Sequence, residues 1–89
     1  MAALKELDGA GGQVKATGGY VSAVVLTPAA EAATAELRDG GVAGTVLLTL
    51  KATVAGLSVP ASFPKPVGLA GEIYVTLDGE GALCSVAYE

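Results

Sequence analysis

Side chains that could carry out chemistry are scarce in this sequence. Its 89 residues include no histidine, one cysteine and five lysines and arginines in total. Without histidine, neither a Ser-His-Asp triad nor a Cys-His pair can form, and a serine nucleophile would need another base. The five cationic residues are dispersed along the chain and offer no obvious base. We therefore expect that the protein is not an enzyme.

Two pairs of carboxylates lie close together in the sequence, Glu36 with Asp39 and Asp78 with Glu80. Paired carboxylates can act as general acid and general base, and Asp78 with Glu80 is conceivable as a loose calcium site. Both pairs flank predicted turns, where charge favours solubility, and too few oxygen ligands converge in the sequence to hold calcium. We expect no catalytic residue, no metal and no cofactor.

Cys84 and the glycine run GAGG at residues 9–12 both favour structural roles. Cys84 lies in a predicted strand, where a lone cysteine behaves as a small buried hydrophobe. The glycine run is not followed by the lysine and the helix that a phosphate-binding loop requires. We therefore expect no small-molecule substrate.

Charge and hydropathy exclude two further classes of partner. The net charge is −4 and the charges are scattered, so no basic stripe is available for a nucleic-acid backbone. No uninterrupted apolar run approaches the length of about 18 residues that a membrane-spanning helix needs. The first 12 residues lack a signal peptide's apolar stretch, and a lone thiol suits a reducing compartment. These features predict synthesis in a cytoplasm.

The composition predicts a thin core. The mass is 8.6 kDa, and the 52% of apolar residues include no tryptophan and one phenylalanine. Cys84 has no partner within the chain for a disulfide, so the common remaining way to stabilise so small a domain is self-association. Only 16% of the residues are charged, which is low for a surface that stays in water. Both features predict an oligomer whose surface is partly covered.

The hydrophobic pattern has mostly a period of two, which indicates strands. The clearest turn is DGG at residues 39–41, where glycines allow positive φ and an apolar strand follows. The clearest hairpin is predicted between the last two strands, around the GEG turn at residues 79–81. The predicted strands span residues 13–17, 20–27, 45–54, 57–59, 72–78 and 82–89.

Residues 28–41 are the ambiguous segment. Alanine and glutamate favour a helix, but apolar and polar residues alternate over residues 33–38, which favours a half-exposed strand. Leu37 is the segment's only large apolar residue, too little for the apolar stripe of a helix, so we prefer the strand.

Alternation within the strands also predicts which side chains face the core. In strand 20–27 both faces are largely apolar, so this strand is either central or covered on two sides. Its two predicted faces are Tyr20, Ser22, Val24 and Leu26 against Val21, Ala23 and Val25. In the later strands the predicted inward residues are Val46, Leu48, Leu50, Ala52, Val54, Ile73, Val75 and Leu77.

Together these elements predict an all-β fold: a single small antiparallel β-sandwich or jelly-roll-like domain of six to eight short strands. Residues 13–89 form the sandwich. Residues 1–12 are predicted to be a flexible N-terminal arm, although residues 1–7 could instead form one helical turn or a short strand. Residues 58–68 are predicted to be a proline-rich loop, in which Phe63 either plugs the open end of the sandwich or contacts a partner.

One resemblance covers residues 21–89. The chain contains LRDGGVAGTVLLTL followed by VPASFPKPVGLAGEIYVTLDGEGALCSVAYE. This order of a DG…GT turn, an apolar strand, an FPxP segment, a GxxYVTLxG strand and a final VxY strand resembles small all-β virion proteins of tailed bacteriophages. Those proteins commonly lie among the head genes.

The resemblance implies a structural virion protein that binds the outside of a phage capsid and stabilises it, as a capsid decoration (cement) or head-fibre-like protein. The implied partner is the major capsid protein, and the implied assembly is a homotrimer on the capsid surface. Residues 1–12 and the 58–68 loop are the expected contacts. The candidate interface residues are Leu4, Leu7, Phe63 and Lys65.

Two other functions stay open from the sequence. A head–tail or tail adaptor would also need an assembling β-domain. A carbohydrate- or receptor-binding β-sandwich would use exposed aromatic side chains, but the chain has no tryptophan and its three tyrosines are not clustered.

Overall fold

In a computed structural model, which describes residues 3–29, 31–53, 58–79 and 81–89, the chain forms strands and turns. The described residues contain no helix. The eight strands among them are β1 (Ala3–Leu7), β2 (Gly11–Lys15), β3 (Gly19–Thr27), β4 (Ala33–Asp39), β5 (Thr45–Ala52), β6 (Val59–Leu69), β7 (Ile73–Asp78) and β8 (Leu83–Tyr88).

The strands form two four-stranded antiparallel sheets. Sheet A has the order β1-β8-β3-β6, and sheet B has the order β2-β7-β4-β5. The pairing is nested, because β1 pairs with β8, β2 with β7, β3 with β6 and β4 with β5. This nesting is the topology of a jelly roll. The predicted all-β sandwich is therefore confirmed.

The core lies between the two sheets and is made of small aliphatic side chains. None of the described polar or charged side chains is buried. Strand β4 shows the expected alternation, with Ala33, Ala35 and Leu37 buried, so the strand interpretation of this segment is confirmed. The predicted central position of β3, between β8 and β6, is also confirmed. The largest fully buried side chains are Leu26, Ile73, Val21, Val24, Val75, Val86 and Cys84.

The predicted hairpin between the last two strands is wrong. Strand β7 pairs with β2 and β4 in sheet B, whereas β8 pairs with β1 and β3 in sheet A. Gly79 and Gly81 do turn the chain with positive φ, as the glycines suggested. After this turn, however, the chain continues in the other sheet, because β7 and β8 pair with strands that are distant in the sequence and not with each other.

Bulges change the predicted faces of two strands. In β3 the register shifts between Val21 and Ala23, so Val21 is buried on the same face as Val24 and Leu26. In β5 the register shifts near Leu47, which places Val46 opposite the outward-facing Arg38. An extra residue in one strand reverses the alternation beyond it. Val54, also predicted to be inward, lies outside the described residues.

The predicted proline-rich loop is an edge strand. Strand β6 covers residues 59–69 and pairs only with β3 among the described strands. An edge strand needs hydrogen bonds on one side alone, so it tolerates prolines that a central strand would not. Leu57, where a short strand was predicted to begin, lies outside the described residues.

The N-terminal segment is strand rather than flexible arm over its described part. Strand β1 pairs with β8 along its whole length, and the predicted boundary at residue 12 falls inside β2. The short-strand alternative for residues 1–7 is therefore the one that the structure shows over Ala3–Leu7. Leu7 supplies the reason, because its side chain is buried in the core.

Candidate docking surface

The outer face of sheet A is a nearly uncharged surface. Directly opposed residues on neighbouring strands share a face of the sheet. Cys84 and the opposite Leu26 both point inward, so the residues before and after them on each strand point outward. Three rows result, and we call them together the sheet A face. They are Leu4–Ala87–Ala23–Ser62, Glu6–Ser85–Val25–Pro60, and Leu83–Thr27.

The sheet A face combines small side chains with exposed apolar ones. Leu4 is 73% exposed, and Leu83 is also exposed at the other end of the surface. Ala23, Val25 and the neighbouring Ser85 and Ala87 of β8 are half-buried. Glu6, on the edge strand, is the one charged residue in these rows. An apolar sheet surface of this kind is typical of a contact with another protein.

The outer face of sheet B is polar by contrast. Its rows place Lys51 beside Thr34 and Asp78, Thr49 beside Glu36 and Thr76, and Val46 beside Arg38, Tyr74 and Gln13. Four charged side chains of both signs therefore lie on this face, against one on the sheet A face. Since surface charge keeps a sheet in water, the two faces of the sandwich are suited to different surroundings.

A small network of hydrogen bonds lies at the centre of the sheet B face. Arg38 Nη2 pairs with Glu36 Oε1 at 2.9 Å, and its Nη1 donates to the Gly44 carbonyl oxygen at 3.1 Å. The Thr76 hydroxyl donates to the same Glu36 oxygen at 3.2 Å and accepts from Arg38 Nε at 3.3 Å. The network joins β4 to β7 and to the β4–β5 turn.

A shallow depression of about 250 Å³ opens beside this network. Thr34, Glu36, Thr76, Leu77 and Asp78 line it. The Glu36 Oε1 atom at this depression is already hydrogen-bonded to Arg38 and Thr76.

The carboxylate pairs that the sequence singled out have structural surroundings. Glu36 takes part in the network above, while the Asp39 carboxylate accepts hydrogen bonds from the backbone N–H groups of Gly71, at 2.8 Å, and Ala70, at 3.4 Å. Asp39 thereby ties the β4–β5 turn to the segment before β7. Asp78 lies exposed at the end of β7, and its predicted companion Glu80 lies outside the described residues.

Cys84 is a buried free cysteine, as predicted. Its side chain is fully buried, and burial raises the pKa of the thiol to about 11. A thiol that stays protonated at neutral pH is a poor nucleophile. In the described part of the chain, no group of three or more acidic or cysteine side chains is placed to hold a metal ion.

The four predicted interface residues are dispersed over the molecule. Leu4 is exposed on the sheet A face. Leu7 is only 6% exposed and packs in the core of its own chain. Phe63 is partly buried against the core, and Lys65 is exposed. The structure therefore leaves Leu4 and Lys65 as accessible positions.

Phe63 and Lys65 belong to a long bulge in β6. Paired residues run from Val59 to Ser62 and resume at Val67, so residues 63–66 lie opposite Ser22 alone. In this bulge Phe63 is partly buried and packs against the core. The bulge also projects Lys65 from the edge of sheet A.

The sequence interpretation missed the sheet A face as a surface. The relevant signal was the second apolar face of β3, which the sequence pattern had explained by either a central position or coverage on two sides. Val25 and Ala23 carry that signal, and the neighbouring alanine and serine of β8 share the same face. Without knowledge of which strands are neighbours, these residues could not be joined into one surface.

Comparisons with known proteins identify no relative. No family model matches the chain. Neither a curated protein nor a solved structure matches it significantly. Within the described residues, no helix is long and apolar enough to cross a membrane.

Proposed function

We propose that this protein is a structural virion protein that binds the outside of a bacteriophage capsid and stabilises it. The observation that carries the proposal is the difference between the two outer faces. The sheet A face has one charged residue, Glu6, and suits a covered surface, whereas the sheet B face carries four charged residues and suits water. A subunit lying flat on a shell needs this asymmetry.

The size of the sheet A face indicates how the attachment works. Four strands at about 4.8 Å spacing, each contributing about six residues of about 3.3 Å, span roughly 400 Å². A standard protein interface buries about 800 Å² on each partner. One copy would therefore bind weakly, and several joined copies would bind strongly because later contacts are intramolecular.

This reasoning supports the homotrimer that the phage resemblance implies. Three joined copies present three sheet A faces to a symmetric position on the shell. The partner is the major capsid protein, the site is the outer surface of the virion, and the chemistry is binding alone. Bridging neighbouring capsid subunits is how such a trimer would resist internal pressure.

The jelly-roll architecture is compatible with the proposal. Jelly rolls occur among viral capsid proteins and also among lectins and cupins, and a fold does not fix a function. The adaptor and the carbohydrate-binding alternatives remain predictions of the sequence. The sheet A face, with Glu6 as the one charged residue in its rows, favours protein contact over sugar binding, because sugars are bound mainly through polar side chains.

A sedimentation experiment tests the proposal. Shells assembled from the major capsid protein of the same virus are mixed with increasing amounts of this protein and then pelleted. We expect it to pellet with the shells up to a saturating ratio and to raise the temperature at which they rupture. Protein that stays in the supernatant at every ratio would rule out the decoration function.

A further inference from the structure

Strand β1 is an edge strand that is paired on one side only. It lies at the edge of sheet A and, among the described strands, pairs only with β8, from Ala3 opposite Tyr88 to Leu7 opposite Cys84. Four of its five residues are exposed, and Leu7 alone is buried. A single apolar side chain and one row of backbone hydrogen bonds therefore hold five ordered residues.

Strand β8 requires a paired strand along the edge that β1 occupies. Cys84 and Val86 are fully buried on the inner side of β8, and Leu7 packs opposite Cys84. Without β1, the backbone groups along this edge of β8 would lie open, as on any unprotected edge strand. The backbone hydrogen bonds to β8 can be made by residues 3–7 of either chain, provided that an identical leucine fills the position of Leu7.

The connection between β1 and β2 can act as a hinge. Asp8, Gly9 and Ala10 are all exposed, and Gly9 has a φ of 60° with no atom within 4 Å of a side chain placed there. The Ala10 carbonyl oxygen accepts a hydrogen bond from the Leu77 N–H at 2.9 Å, which fixes Ala10 to β7. Straightening at residues 8–9 breaks the turn hydrogen bond from the Gly11 N–H to the Asp8 carbonyl oxygen.

We propose that β1 exchanges between copies of the protein, so that residues 3–7 of one chain occupy the β8 edge of its neighbour. The occupant of this edge is a second copy of the chain, because the same five residues already fit it in a known register. Exchange of an identical element costs little, and head-to-tail contacts of this type can close a ring. This inference rests on the proposed association of copies and adds the link that joins them.

A disulfide between two different chains tests the exchange. The first chain carries Leu7→Cys together with Cys84→Ala, and the second is the unaltered protein, whose only cysteine is Cys84. Opposed residues of antiparallel strands have Cα atoms about 4.5–5.5 Å apart, within the roughly 4.4–6.8 Å that a disulfide spans. A bond from position 7 to position 84 can then form only between chains.

Two controls make the result specific. A chain that carries Leu7→Cys and keeps Cys84 shows that the two thiols can form a disulfide within one chain. A chain with Leu4→Cys and Cys84→Ala is the matched control, because Leu4 lies opposite Ala87 and points to the other side of the sheet.

We expect the concentrated, mixed and oxidised chains to give a product of about 17 kDa, twice the 8.6 kDa of one chain. Mass spectrometry should identify in it a peptide that links position 7 to position 84, and the Leu4→Cys control should not give this link. Failure to form it, while Leu7→Cys with its own Cys84 closes within one chain, overturns the exchange. Shell binding without the link refutes the exchange and leaves the docking proposal intact. Formation of the link without shell binding supports the exchange and refutes the docking proposal.

Discussion

At the scale of single residues, the burial of Cys84 shows how this small core tolerates a titratable group. The thiol lies between the sheets in strand β8, opposite Leu26 on one side and Leu7 on the other. Its burial stabilises the protonated form and raises the thiol pKa from 9.0 to about 11. The folded protein therefore holds this proton over a pH range in which the unfolded chain releases it.

This proton makes stability fall with rising pH in a defined window. Because the folded pKa is the higher one, the contribution is fully present below about pH 9 and is lost as the pH rises towards 11. At pH 8 we expect the Cys84→Ala variant to be less stable by about 1 kcal/mol, the value for a small cavity in a core. Urea unfolding of both proteins from pH 8 to 10.5 should show this difference falling to zero and then reversing sign.

The comparison with Cys84→Ala removes the titration of lysines and tyrosines, which both proteins share. A difference in unfolding free energy that stays constant over this pH range would contradict the buried, protonated thiol.

At the scale of strands and turns, the sequence correctly predicted those features that depend on the apolar pattern of a single strand. The alternation of Ala33, Ala35 and Leu37 correctly placed β4 against the core, and the DGG turn correctly joined it to β5. The bulges near Ser22 and Leu47 could not be foreseen, because they depend on the partner strand. Likewise, a glycine turn marks a reversal of the chain without saying whether the next strand stays in the same sheet.

Strand β1 offers a direct test of which of its side chains matters for folding. Leu7 is 6% exposed and Leu4 is 73% exposed on the same strand. We expect Leu7→Ala to lower the unfolding free energy by about 2 kcal/mol, the lower end for a buried leucine, because β1 is an edge strand. Leu4→Ala should change it by less than about 0.5 kcal/mol, as for a surface position.

Denaturant unfolding at pH 7 measures both variants against the unaltered protein. Equal losses for Leu4→Ala and Leu7→Ala would contradict the register in which Leu7, and not Leu4, faces the core.

At the scale of the whole molecule, small size and an uneven surface lead to the same conclusion. The domain has a mass of 8.6 kDa, and its core contains no tryptophan. One of its two outer faces bears a single charged residue, Glu6. The sequence anticipated a covered surface from its low charge density. It could not locate that surface, because Ala87, Ala23 and Ser62 become neighbours only when β8, β3 and β6 pair.

The assembly itself has a measurable mass. Light scattering across a dilution series should give about 26 kDa, three times the mass of one chain, because a single sheet A face is too small to hold a copy on its own. A mass that stays at that of one chain at every concentration would contradict the trimer in free solution.

The most direct test of the docking surface places the same charge on either side of the sandwich. Val25→Lys adds a lysine at the centre of the sheet A face, between Ser85 and Pro60. Thr49→Lys adds one to the sheet B face, opposite Glu36. With equal folding confirmed by urea unfolding, we expect Thr49→Lys to pellet with capsid shells like the unaltered protein and Val25→Lys to remain in the supernatant. Equal binding by the two variants, or loss of binding in Thr49→Lys alone, would contradict docking through sheet A.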